Sequence, residues 1–459
     1  MLTSNPFSKA SSDSPISLSS SQNLRESLRI AFEHCRQSTF DFIRTVDPSL
    51  FCRQAHSDFS PIGWHVGHIA YTEALWILER FARKSPMFPE YHRLFAADGL
   101  PKAERQNLPD CQTLYDYLND VRQAVFEYLE VAPIEQQQRI WWFLVQHESQ
   151  HCETMALIME LLRVSHPLPS VIGDAAIEVS LITDSAIEKI SSSASQIAAS
   201  QSAMDLMCYV PQGSVCIGSD DRCALDNEQP SYRVDLDAFW IDRYPVTYQD
   251  FQRFIDAGGY EEAQWWSPEG WAWLQDHPVA YPLYGERNDE ARMSRQSNHP
   301  VCGVNWYEAT AYAAFVGKRL PTEAEWEKAA RWEPSTGMTR PYPWGEDFPT
   351  QQLCNHSHHV GSTAEVTRYP GGASPVGCMD MLGNVWEWTS SKFEGYEGFK
   401  PFPYVGYSQS YFDGQHYVLR GGSWATRPWA LRPSLRNWYH PWVRQIFAGF
   451  RCASSYPPQ

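Results

Sequence analysis

The stretch 140-IWWFLVQHESQHCETMALIMELLRV-164 decides how the first half of the chain folds. It is long, amphipathic and helical in its periodicity, and three more segments of the same texture precede it. These are 27-SLRIAFEHCRQSTFDFIRTV-46, 63-GWHVGHIAYTEALWILERFA-82 and 113-TLYDYLNDVRQAVFEYLE-130. In the first of them Leu28, Phe32, Cys35, Phe40 and Phe42–Ile43 gather toward one side. Four such segments joined by loops predict a helical bundle. Within the opening stretch, His147 and His151 are four residues apart, so both imidazoles stack on one helix face and can reach a single ion. A third ligand must come from another helix, and GWHVGHIA offers His65 and His68. Glu148 and Glu153 are possible carboxylate ligands. Cys152 lies off the His147/His151 face, which argues against a sulfur site. Three neutral imidazoles suit iron, zinc, copper or nickel. In an octahedral ion they leave about three positions open, an arrangement that favours catalysis over a structural role.

Outward from that bundle the chain divides by texture. Residues 1–22 are Ser-rich and aperiodic, a disordered lead-in by composition. The bundle occupies 23–170, and 171–205, which contains SSSASQIAASQSA, reads as a linker. From 206 to 459 short apolar runs alternate with Gly, Pro and dense Trp and Tyr. Helices are expected only at Tyr307–Arg319 and Thr322–Trp332. The second domain is therefore expected to be α+β with much irregular chain, and the whole an α+β multidomain protein.

Charge and composition exclude several function classes. With 37 basic and 54 acidic side chains the net charge is −17, unsuited to nucleic acid or to an anionic membrane surface. No apolar run approaches the ~18 residues of a spanning helix, and the N-terminus has no apolar signal region, so the expectation is a soluble cytoplasmic protein. The 11 cysteines are dispersed without a C-x-x-C pair, which argues against a disulfide scaffold or a zinc ribbon. Aromatic residues make up 14% of the chain and thicken in its second half. They fit irregular packing, or a pocket for a flat or cationic ligand.

Residues 24–165 resemble a DinB-type four-helix bundle through SPIGWHVGHIAYTEALWIL and QHESQHCETM. Residues 206–455 resemble the formylglycine-generating-enzyme fold, which is also C-type-lectin-like, through VPQGSVCIGS, DAFWIDRYPVTYQDFQRFI, HPVCGVNWYEATAYAAFVGKRLPTEAEWEKAAR, YPWGE, MLGNVWEWTSS, RGGSWATR and FAGFRCA. Fused in this order, the two resemble sulfoxide synthases of ergothioneine biosynthesis. The resemblance implies a mononuclear non-haem Fe(II) held by His68, His147 and His151, with O2 as co-substrate. His65 is then a non-ligand, expected on the helix surface. Gln150 would bond the substrate imidazole, Tyr404 would give a proton to the oxygen intermediate, and Tyr407 would line a trimethylammonium pocket. Asn437 and Trp438 would hold the histidine betaine hercynine. The implied reaction joins the sulfur of cysteine or γ-glutamylcysteine to the hercynine imidazole. The two domains contribute different groups to it, so their interface is the expected active site.

Departures bear on the thiol donor. Actinobacterial-type members follow RNW with Asp and use an Arg pair to grip γ-glutamylcysteine. Here Tyr439 stands at the Asp position, and Lys102 and Arg105 stand where two arginines are expected. A lysine lacks the bidentate fork, which tilts the expectation toward free cysteine. A formylglycine-generating oxidase is excluded because RGGSWATRPWALRPSLR (Arg420–Arg436) holds no cysteine to bind copper. Coupling of histidine or of a selenosugar, and a non-catalytic metal-bearing scaffold, are the alternatives within this architecture. Trp344, Trp386, Trp388 and Arg420 are expected to be framework, and His356, His358 and His359 to belong to a polar loop. The sequence leaves the oligomeric state open.

Overall fold

The computed structural model describes residues 20–165, 206–285 and 296–458. The expected linker at 171–205 lies outside the described residues, and so does the expected lead-in apart from Ser20–Gln22. Four long helices make the N-terminal bundle: α1 (Ser20–Ile43), α2 (Ile62–Glu73), α3 (Cys111–Leu129) and α4 (Ile134–Ser165). Helix α1 packs on α4, and α2 packs on both α3 and α4. The Asp110 carboxylate accepts from the Thr113 amide and caps α3. Beyond Glu73 the helix continues as π-helical turns over Ala74–Phe81. Gly67 in α2 has no side chain because Phe95 takes its place: a Cβ there would lie 2.2 Å from the Phe95 ring. That close approach brings the short helix His92–Phe95 against the centre of α2.

The bundle core holds a charge cluster that hydrophobic periodicity does not reveal. Arg36 donates to Glu148 (2.9 Å) and Glu73 (2.8 Å), while Arg122 donates to Glu73 (2.6 Å) and Glu148 (2.9 Å). All four side chains are buried. Thr39 adds a further hydrogen bond to Glu148 at 2.7 Å. Burial pushes the Glu148 carboxyl up, but Arg36 and Arg122 outweigh it and hold the pKa at about 2, below the ordinary 4.5. A carboxylate depressed in the folded state contributes stability above its unfolded pKa and loses it as pH falls through the folded value. Thermal unfolding between pH 6 and pH 2 is therefore expected to show a falling midpoint that begins near pH 4.5.

The second domain is built from short strands. Strands β1 (Met207–Val210), β4 (Phe239–Asp242) and β9 (Ala453–Ser454) form one sheet in the order β1-β4-β9. A hairpin joins β2 (Gly213–Ile217) to β3 (Tyr232–Leu236). A four-stranded sheet runs β7-β6-β5-β8, from β5 (Trp386–Lys392), β6 (Tyr417–Arg420), β7 (Arg436–Tyr439) and β8 (Ala448–Gly449). Within that sheet β5–β8 is parallel and the other two pairs are antiparallel. Among the described residues four helices accompany the strands: α5 (Tyr248–Asp256), α6 (Pro268–Asp276), α7 (Trp306–Phe315) and α8 (Glu323–Arg331). The last two are the expected helices, shortened at their C-terminal ends. The first two have no counterpart among the expected elements, although α5 opens on a capping box between Thr247 and Asp250. Buried ion pairs tie helix α8 to strands, Arg420 with Glu327 and Arg436 with Glu323, and a third joins Arg451 of the β8–β9 loop to Glu387 of β5, so Arg420 is framework. No helix among the described residues is long and apolar enough to cross a membrane, and all 11 cysteines are free thiols.

The domains meet along α4. Glu153 accepts from Trp386 (2.7 Å), Thr426 (2.7 Å) and Ser423 of the second domain. Gln146 donates to the Cys223 carbonyl at 2.7 Å and accepts from Arg432 at 2.6 Å. Arg427 crosses to the Cys35 carbonyl at 2.7 Å.

Candidate active site

A cavity of ≈480 Å³ opens at this junction. Among its walls are His68, His147, Gln150 and His151 from the bundle helices, and Lys102 and Arg105 from the loop before α3. Tyr404 and Tyr407 come from the loop between β5 and β6, and Asn437, Trp438 and Tyr439 from β7. The residues expected to bind metal, to contact substrate and to move a proton therefore face one space.

His68, His147 and His151 converge, with one ring nitrogen from each lying within 4.8 Å of the others. The His147 and His151 Nε2 atoms are 3.1 Å apart. Two nitrogens bound side by side on one ion at about 2.1 Å would lie roughly 3 Å apart. The Nδ1–H of His68 donates to the Phe95 carbonyl at 2.6 Å, which leaves its Nε2 lone pair for a metal. The Gly67–Phe95 approach thus sets the orientation of the neighbouring ligand. Trp64 stacks on His68 (4.6 Å between centroids) and carries the Arg105 guanidinium 4.1 Å from its ring. Burial drives the pKa of His68 down to about 4 and takes His147 and His151 well below the ordinary 6.5, so all three rings keep a lone pair at neutral pH. A neutral three-nitrogen set fits iron, zinc, copper or nickel.

Two expectations are corrected by this geometry. Glu148 is committed to Arg36 and Arg122, and Glu153 to Trp386, Ser423 and Thr426, so neither carboxylate joins the histidines. Trp386 keeps its expected framework place, buried in β5, and also bonds Glu153 at the domain junction and lines the cavity. His65 is not on the surface. It is buried, and its Nδ1 lies 2.8 Å from the Nδ1 of His151. The i, i+3 spacing of His65 and His68 is the signal for this, since it places them on one helix face. As for the polar-loop histidines, His356 is buried and His358 half-buried, edge-on to Trp424, and they form no metal-ligand group among the described residues. Asp413, His416 and His440 do form a second such group. There the two rings stack 3.8 Å apart and His416 bonds Asp413 at 3.0 Å. Stacked rings direct their lone pairs in near-parallel planes, a poor approach to a shared ion.

The substrate side of the cavity is aromatic and amide-rich. Tyr407 donates its hydroxyl to Gln150 Oε1 at 3.0 Å. That oxygen keeps a second lone pair for another donor. Trp438 stacks flat on Phe393 at 4.2 Å, and Tyr407 stands edge-on to it at 6.3 Å. The Asn437 side-chain oxygen accepts from the Trp438 amide at 2.9 Å. Tyr404, 39% exposed, packs over Trp76 of the π-helical turns, 6.0 Å between centroids, and partial desolvation pushes its phenol up to about 12. At the opposite end Lys102 donates to the Asp58 carbonyl at 2.6 Å. Arg105 donates to Leu100 (2.9 Å), Ser60 (3.0 Å) and Ala97 (2.5 Å).

Known proteins are similar to this chain in sequence. The sulfatase-modifying factor enzyme 1-like domain matches residues 193–456, and the DinB superfamily matches residues 31–155. Hercynine oxygenase of Mycobacterium tuberculosis is 37% identical over 438 residues, covering 93% of this chain and 98% of that protein. Hercynine oxygenase of Mycolicibacterium smegmatis is 36% identical over 454 residues, covering 94% and 99%. Formylglycine-generating enzyme of Mus musculus is 28% identical over 309 residues, covering 56% of this chain and 77% of that protein.

Proposed function

The chain belongs to the hercynine oxygenase family, and from that membership we propose a non-haem iron(II) sulfoxide synthase that joins the sulfur of free cysteine to the imidazole carbon of hercynine. One thiol, one imidazole C–H and one O2 give one sulfoxide and one water. One oxygen atom ends on sulfur, and the other takes the two hydrogens. The observation that carries the reading is the interdomain cavity, where a neutral three-histidine set faces an aromatic wall and a protonated phenol. Iron bound there supplies redox chemistry and open coordination positions.

The chain's own residues do the rest. Gln150, anchored by Tyr407, accepts the imidazole N–H and fixes the ring's rotation. The faces of Tyr407 and Trp438 take the trimethylammonium group by cation–π attraction, and the Asn437 amide nitrogen is left to donate to the betaine carboxylate. Tyr404 holds a proton at its hydroxyl across the physiological range and releases it toward the oxygen being reduced. Replacing Tyr404 by phenylalanine is expected to slow sulfoxide formation by roughly 10²–10⁴-fold, the usual contribution of a positioned proton donor. Iron content should be unchanged. With a phenol pKa of about 12, the wild-type rate is expected to show no alkaline fall near pH 10 from this group.

The thiol donor follows from the other end of the cavity. Arg105 has turned its fork to three protein acceptors, and Lys102 offers a point charge. Tyr439 supplies no carboxylate for the ammonium group of a γ-glutamyl arm. An unmet charged hydrogen bond costs about 1.5–3 kcal/mol, roughly 10–100-fold in kcat/KM. Anaerobic Fe(II) reconstitution, followed by O2, hercynine and each thiol with products read by mass, is expected to favour cysteine by that factor. Tyr439→Asp is expected to narrow the preference. Equal use of both thiols by the wild type would reject the donor assignment, and an adduct with neither would reject the reaction.

A further inference from the structure

His65 has no role in the proposed reaction, yet it is buried beside the metal ligands and lines the same cavity. Its Nδ1 meets His151 Nδ1 at 2.8 Å, while the other nitrogen of His151 faces His147 at 3.1 Å. The two contacts lie on opposite edges of one ring. His65 therefore stands behind His151, away from where an ion would sit, and is not a fourth ligand. Two imidazole nitrogens at 2.8 Å need one proton between them. If His151 gives its Nε2 lone pair to a metal, its remaining proton is on Nδ1, so His151 is the donor and His65 Nδ1 the acceptor. The His65 proton is then on its own Nε2, a buried atom that meets no acceptor within hydrogen-bonding geometry.

His68 has the equivalent support from the Phe95 carbonyl. Metal-bound histidines commonly donate their second N–H to a carboxylate, carbonyl or water. An imidazole in that place is a neutral acceptor held by its own tautomer.

We propose that His65 is the positioning residue for His151, accepting its Nδ1–H and thereby fixing the tautomer and ring rotation that aim Nε2 at the metal. The proposal rests on the reading of His68, His147 and His151 as a metal site. It concerns binding of the ion rather than the identity of the substrates.

The test is Fe(II) affinity of the full chain, measured anaerobically by competition with a chromophoric chelator, together with the EPR spectrum of the ferrous–nitric oxide adduct. His65→Ala is expected to weaken Fe(II) by roughly 10–100-fold and to broaden or shift the EPR signal. In His65→Asn the side-chain oxygen occupies the place of Nδ1 and can accept the same proton, so affinity within a few-fold of wild type is expected. Equal weakening in both variants would show that position 65 acts through packing and would overturn the proposal. So would an alanine variant that binds as tightly as the wild type. A wild type that binds no Fe(II) would instead reject the three-histidine metal site itself, which separates that failure from the failure of His65.

Discussion

Replacing His147 by alanine is expected to abolish sulfoxide formation and empty the metal site while leaving the fold in place. Its imidazole nitrogen sits 3.1 Å from that of His151, within the group of three. Its removal leaves two ligands that cannot close one face of an ion. Losing a group behind a ligand costs roughly 10–100-fold in metal affinity, so losing a ligand should cost on the order of 10³-fold or more. Metal content after desalting and product mass after incubation with Fe(II), O2, hercynine and cysteine report the two losses independently. A variant that retains stoichiometric iron and turns over would remove His147 from the ligand set. The apo fold should persist because the ring contributes no ion pair to the core, unlike its neighbour in sequence.

That neighbour, Glu148, belongs to the second large effect. Replacing Arg122 by alanine removes the donor to both Glu73 and Glu148 in a buried cluster. Two carboxylates then share the single guanidinium of Arg36. Stripping one partner from a buried ion pair costs about 3–5 kcal/mol, which is a large share of a domain's stability. Urea unfolding followed by far-UV circular dichroism is expected to show a midpoint lowered accordingly. The loss should be smaller at pH 3 than at pH 7. An acid in the unfolded chain is neutral there, and the charge to be compensated is partly discharged by protonation. A variant as stable as the wild type at pH 7 would mean that water or rearrangement screens the carboxylates.

The bundle is legible in the sequence because its signal is repeated. Four segments of 12 residues or more each carry several turns of the same period, and the i, i+4 pair His147/His151 reads directly as one face. For the third ligand the same arithmetic leaves His65 and His68 open, and only the family resemblance selects His68. Hydrophobic periodicity does not say which polar neighbours a helix meets. Glu148 and Glu153 lie beside the ligands in sequence, but their partners include Arg36, Arg122 and Trp386, brought from elsewhere in the chain. For the same reason a surface place is expected for His65, although its spacing puts it on the ligand face. In the second domain the strands are two to seven residues long. Several pair out of sequence order, β4 with β1 and β9, and β8 beside β5, so local pattern does not encode those sheets. The change of texture bounds that domain, and motif resemblance supplies its fold. Helices α5 and α6 are hidden among Trp, Gly and Pro because each spans nine residues, barely more than two turns.

Helix α4 carries Gln146, His147, Gln150, His151 and Glu153 within little more than two turns. Gln146 and Glu153 dock the second domain, His147 and His151 converge with His68, and Gln150 bonds Tyr407. Their common reference is the angular phase of a single helix. A substitution can spoil one of these partnerships and spare the rest. Deleting or inserting one residue upstream within the helix rotates everything beyond it by about 100°, and all five fail together. Length changes in this lineage should therefore accumulate in loops and be purged from α4, whose tolerance of insertion is set by geometry rather than by the chemistry of any one side chain.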